Sequence, residues 1–136
     1  MNALRTLRLK TVRFLAAIVC SVVVSGCKVD LPHKLAQDNI WTVTAYDRGR
    51  PGQPQIVAKG SSEQKRVLAW ATDNITGWKL AFATFSPDVL VTGPSFRLDI
   101  HSDFIVFGAG RLHYSKDIRA SDYESLRQAL ALEPGS

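Results

Sequence analysis

Residues 96–107 read Phe96-Arg97-Leu98-Asp99-Ile100-His101-Ser102-Asp103-Phe104-Ile105-Val106-Phe107. Apolar Phe96, Leu98 and Ile100 alternate with polar Arg97, Asp99 and His101. That period of two places one side of a strand in a core and the other in water. Ser102-Asp103 suits a tight turn, and Phe104 to Phe107 return as a second strand. A two-residue turn puts Ile105 and Phe107 on the core side with Leu98 and Ile100, leaving Phe104 and Val106 outward beside His101 and Asp99. A three-residue turn reverses the facing and exposes Ile105 and Phe107 instead. In either register the hairpin has apolar residues on both sides. Phe104, Ile105, Val106 and Phe107 are therefore the candidate partner surface, since monomers usually keep such strips off their wet faces.

Around this hairpin the signals alternate between strand and helix. Ile40 to Tyr46 is rich in β-branched and aromatic residues and reads as a strand, and Gln55 to Lys59 as a short second one. Between them Asp47 to Pro54 carries two prolines and two glycines, a loop that offers Arg48 and Arg50 to acidic headgroups, peptidoglycan or a protein. Ser61 to Ile75 reads as a helix, with Ser61 and Gln64 spaced as a capping box and Val67, Leu68, Ala71 and Ile75 as its apolar stripe. Gly77 suits a left-handed cap after it. Trp78, Leu80 and Phe82 then alternate with Lys79 and Ala81, Asp88 to Thr92 forms another strand, and Arg111 to Ser115 a last one. Ser121 to Leu132 closes the chain as a helix, with Ser121 and Glu124 as its capping box and Tyr123, Leu126, Ala129 and Leu130 as its buried face. Strands joined by short turns favour antiparallel pairing with helices on one face. The expectation is an α+β domain over 40–132, with an antiparallel sheet of about four to six strands and two helices, followed by a short tail at 133–136.

The 136 residues fit one domain, and 46% hydrophobic with 21% charged residues is the composition of an ordinary globular protein. Two cysteines do not make a disulfide framework. The first 26 residues differ from the rest. Arg5, Arg8, Lys10 and Arg13 come without an acidic partner, and Phe14 to Gly26 then run thirteen residues without a charge. A basic segment followed by a short apolar one is the pattern of a secretory signal peptide. As a helix the apolar run is roughly 20 Å long, short for a bilayer core of about 30 Å.

The run ends in Val24-Ser25-Gly26-Cys27, which resembles the lipobox of bacterial lipoproteins. Ser25 and Gly26 are small enough for a peptidase to grip the extended chain, and Cys27 supplies the thiol that takes a diacylglyceryl group as a thioether. The resemblance implies a leader over 1–26, cleavage between Gly26 and Cys27, and an N-acyl chain on the new amino terminus. It implies no other cofactor. Residues 27–39 then read as a lipidated tether with at most one helical turn. Lys28, in place of the aspartate that retains lipoproteins in the inner membrane, points to the periplasmic face of the outer membrane. The leader holds four of the 17 basic residues and none of the 12 acidic ones, so the mature chain has 13 against 12. That balance argues against a nucleic-acid-binding domain.

For chemistry the chain offers little. There is no G-x-S-x-G, no H-E-x-x-H, and no Gly-rich loop with a following Lys-Ser. Gly108-Ala109-Gly110 is a lone G-x-G. Asp99, His101 and Asp103 lie two residues apart, so a strand directs all three to one side, and with His113 they bear side chains that bind divalent metals. The expectation is a non-catalytic, lipid-anchored periplasmic protein that works by protein contact, as envelope-assembly accessories and immunity proteins against periplasmic toxins do. The alternative of another class is an envelope hydrolase or metal carrier using Asp99, His101 and His113.

Overall fold

The turn at Ser102-Asp103 has two residues. His101 N–H donates to Phe104 O at 2.9 Å, Leu98 stands opposite Phe107, and Ile100 opposite Ile105. The computed structural model describes residues 26–82 and 86–132. Within them the elements are α1 (Leu31–Ala36), β1 (Ile40–Asp47), β2 (Arg50–Pro51), β3 (Gln55–Ala58), α2 (Ser62–Thr72), β4 (Lys79–Leu80), β5 (Val89–Thr92), β6 (Arg97–Ile100), β7 (Phe104–Ala109), β8 (Leu112–Asp117) and α3 (Ala120–Ala129). The fold is α+β, as expected, with one helix after the first strands and one at the C-terminal end. Residues 1–25 of the leader expected over 1–26, and the tail at 133–136, lie outside the described residues.

The strands form one antiparallel sheet in the order β2-β1-β5-β6-β7-β8-β4, with β3 on the same edge of β1 as β2. The described residues hold eight strands rather than four to six: β2 lies inside the stretch that reads as a loop, and β4 keeps only two residues of the alternation from Trp78 to Phe82. Arg48 and Gly49 both have positive φ, as a two-residue type I′ hairpin requires, and turn β1 into β2. The loop expected over Asp47 to Pro54 thus belongs largely to the sheet edge. Gly52 N–H still donates to Ala45 O, after which the chain continues as β3 along the same edge. From β5 to β8 the sheet is a meander, and β4 pairs with β8 at the far side.

One face of this sheet carries the core. Trp41, Val43, Val89, Val91, Leu98, Ile100, Ile105 and Phe107 alternate inward and pack with Val67 and Ala71 of α2 and Leu126 and Ala129 of α3. Trp41 meets Phe96 edge-on at 5.6 Å, and Trp78 meets Phe107 at 6.4 Å. The α2 cap is close to the one expected. Ser61 Oγ accepts Gln64 N–H at 3.2 Å, while Gln64 Oε1 accepts from Gly60 N–H at 2.7 Å rather than from Ser61. At α3 the expected Ser121–Glu124 box does not form, and the helix begins one residue earlier. Asp122 accepts from the backbone and Nε of Arg119, at 3.1 and 3.2 Å. That pairing lowers the carboxyl's pKa and raises the guanidinium's.

The largest correction concerns residues 27–39. They are not a tether: Leu31 and Leu35 of α1 are fully buried in the core cluster. Trp41 Nε1 donates to Leu35 O at 3.2 Å. Asp38, itself buried, accepts from the backbone N–H and hydroxyl of Ser95 at 2.8 and 2.9 Å, which fixes the entry of β1 to the β5–β6 turn. Even Val29 is buried, its N–H donating to Ile75 O at 2.8 Å. The domain therefore begins within two residues of Cys27.

Candidate functional site

Cys27 is not merely close to the domain; it is hydrogen-bonded to its edge. Its N–H donates to Trp78 O at 2.6 Å and its carbonyl accepts from Trp78 N–H at 3.2 Å, an isolated antiparallel bridge. Lys79 and Ala81 address β8, so Trp78, of the opposite parity, turns its backbone to the other side of β4. Cys27 thereby caps the outermost strand of the sheet, with its side chain exposed. Two glycines with positive φ make this possible, Gly77 before Trp78 and Gly26 before Cys27. They lie back to back: a Cβ on Gly26 would stand 2.9 Å from Gly77 Cα.

The hairpin surface divides. Ile105 and Phe107 are buried in the core and are withdrawn from the candidate partner surface, because the two-residue turn places them on the inner face. Phe104 and Val106 face outward with Asp99 and His101. Val106 is buried yet lies outside the main core cluster, so this face has a small packed group of its own. The His101 ring stacks on Phe104 with centroids 4.0 Å apart at 14°, and Asp99 Oδ1 accepts from Arg97 Nε at 2.7 Å. At the β1–β3 edge the same outward face adds Ile40 and Ile56, both more than half exposed. The alternation of Ile40-Trp-Thr-Val marks Ile40 as outward, but the sequence does not say that β3 brings Ile56 beside Thr42 on that face.

The residues considered for metal chemistry do not converge. His113 pairs with Gly108 on β8, whereas Asp99 pairs with Val106 and His101 sits beyond the end of β6. Among the described residues no three His, Cys, Asp or Glu side chains form a group suited to a metal ion. Arg50 lines a cleft with Tyr46, Pro51, Tyr123, Glu124 and Arg127, in which Arg127 lies over the Tyr123 ring at 5.8 Å. No helix among the described residues is long and apolar enough to cross a membrane. Comparison with protein-family models, with curated proteins and with solved structures finds no match to this chain.

His101 gives the domain a pH dependence of definite sign. Burial lowers its pKa below the ordinary 6.5, against the opposing pull of Asp88, Asp99 and Asp103. Between the folded pKa and 6.5 the unfolded chain binds more protons than the folded one, so stability falls as pH drops through that window. Thermal melts across a pH series are expected to show Tm declining below pH 6.5, with a shallower decline in His101→Gln. An identical slope in the variant would assign the effect to other groups.

Proposed function

We propose that this chain is a lipid-anchored protein of the bacterial envelope that is non-catalytic and acts by contact with another protein. The observation that carries the reading is Val24-Ser25-Gly26-Cys27 at the end of a basic and then apolar leader. The exposed position of Cys27, at the border of the packed domain, supports it. One acyl chain holds a protein to a bilayer only marginally, and two or three make release negligible. With Lys28 following the cysteine, the destination is the periplasmic leaflet of the outer membrane.

The partner's contact is the outward face of the sheet, from Phe104 and Val106 to Ile40 and Ile56. Two features favour it: the exposed apolar side chains Ile40 and Ile56, and an edge strand, β3, for strand addition. Cys27→Ser is expected to abolish acylation and leave either unprocessed precursor or a soluble product in detergent phase partitioning. A variant that partitions as the wild type does refutes the anchor. For the contact, in-cell crosslinking of Ile56→Asp and Phe104→Asp is expected to lose adducts that the wild type forms. An unchanged set removes this face as the contact.

A further inference from the structure

The large apolar side chains most exposed in the described residues fall into two groups at opposite edges of the sheet. Ile40 and Ile56 form one; Leu80, Phe82 and Leu112 form the other. The second group surrounds Cys27. Trp78, Leu80 and Phe82 alternate along the chain through β4, and their exposure climbs from 0% to 49% to 94%. The stripe begins in the core and runs out of it. Leu80 stands opposite Tyr114, and Leu112 lies on the same face of β8 two residues before it.

Cys27 faces the same way. Directly opposed residues of an antiparallel pair put their side chains on one side of the sheet, so the Cys27 sulfur shares the face of Trp78 and Leu80. Leu80 and Phe82 follow Trp78 in the chain, so acyl groups on Cys27 start beside the segment that carries these two bare side chains. Basic groups border this end. Leu112 shares a shallow cleft with Lys28, Val29, Lys34 and Tyr114, where Asp30 is the lone carboxylate lining it, and the adjoining turn exposes Arg111.

We infer that the domain does not swing free on its anchor but lies on the bilayer through Leu80, Phe82 and Leu112. The partner of this end of the sheet is a lipid surface with anionic headgroups. Apolar side chains rimmed by Lys and Arg are the composition that seats a protein about 5–10 Å into the headgroup boundary. Docking turns the β1–β3 edge, with Ile40 and Ile56, away from the membrane. The inference rests on the lipoprotein reading, because Cys27 fixes which end meets the lipid.

The thioether uses the Cys27 thiol, and the mature chain has no other cysteine, so a single introduced thiol reports alone. The full chain, produced with its own leader, is reconstituted into vesicles of phosphatidylethanolamine and phosphatidylglycerol as Phe82→Cys, Leu112→Cys or, at the opposite edge, Gln53→Cys. Each is labelled with a charged maleimide and normalised to its rate in urea. Phe82→Cys and Leu112→Cys are expected to react about tenfold or more slowly than Gln53→Cys, as side chains held in the interface do. Equal rates on chains whose mass shows an acylated Cys27 overturn the docking alone. Chains recovered without acyl groups overturn the lipoprotein reading, and the docking with it.

Discussion

Phe107→Asp yields no folded protein, whereas Phe104→Asp, three residues away on the same strand, yields a domain that melts cooperatively. Phe107 is 1% exposed and packs edge-on against Trp78. Truncating a buried phenylalanine to alanine alone costs about 3–5 kcal/mol, and a carboxylate without a partner in its place adds a desolvation cost of several more. The total stability of a domain of this size is about 5–15 kcal/mol, so the variant falls at or below the threshold. Phe104 is half-buried, with its ring stacked on His101, and its replacement costs less, about 1–3 kcal/mol. Circular dichroism and thermal melts of the two purified variants test this. Similar losses in both would contradict the register that sets Leu98 opposite Phe107.

Leu31→Ala combined with Leu35→Ala lowers Tm by about 15 °C or more. Each side chain is fully buried in the core, and deletions of this kind cost about 2–5 kcal/mol apiece. A flexible tether predicts the opposite, since surface substitutions stay within about 0.5 kcal/mol. Melts of the detergent-solubilised chain separate the two, and an unshifted Tm would return residues 28–39 to the status of a linker.

Those two variants probe the places where the sequence was most and least informative. The alternation from Phe96 to His101 and the stripe Val67, Leu68, Ala71 were legible because long periodic segments advertise which face they bury. The facing of Phe104 to Phe107 was not, since it turns on one residue of loop length and a single-residue slip exchanges the two sides of a strand. α1 escaped notice for a different reason. Six residues with a proline in the first turn have almost no intrinsic helicity, and what holds them is tertiary packing. The α3 cap was misplaced by two residues, at Ser121 instead of Arg119, because Arg119 has no side-chain acceptor and the carboxylate of Asp122 does the capping from inside the helix.

The same contrast holds for the candidate site. Cys27 is marked by a four-residue motif that depends on nothing distant. The bare end of β4 is marked by nothing local, as Trp78, Leu80 and Phe82 carry one alternating signal although the first is in the core and the last is almost wholly outside it. Where a sheet's cover stops depends on the length of the elements laid over it, and that is a property of the assembled fold.

The bridge between Cys27 and Trp78 also imposes a timetable. In the finished domain the peptide bond joining Gly26 to Cys27 lies along β4, with Gly26 pressed against Gly77 and both hydrogen-bonding groups of Cys27 already taken. An enzyme that must draw this bond out as an extended strand finds it closed. On the proposed lipoprotein reading, cleavage at this bond therefore belongs to the still open polypeptide, and closure of the last sheet edge is the step that ends the opportunity.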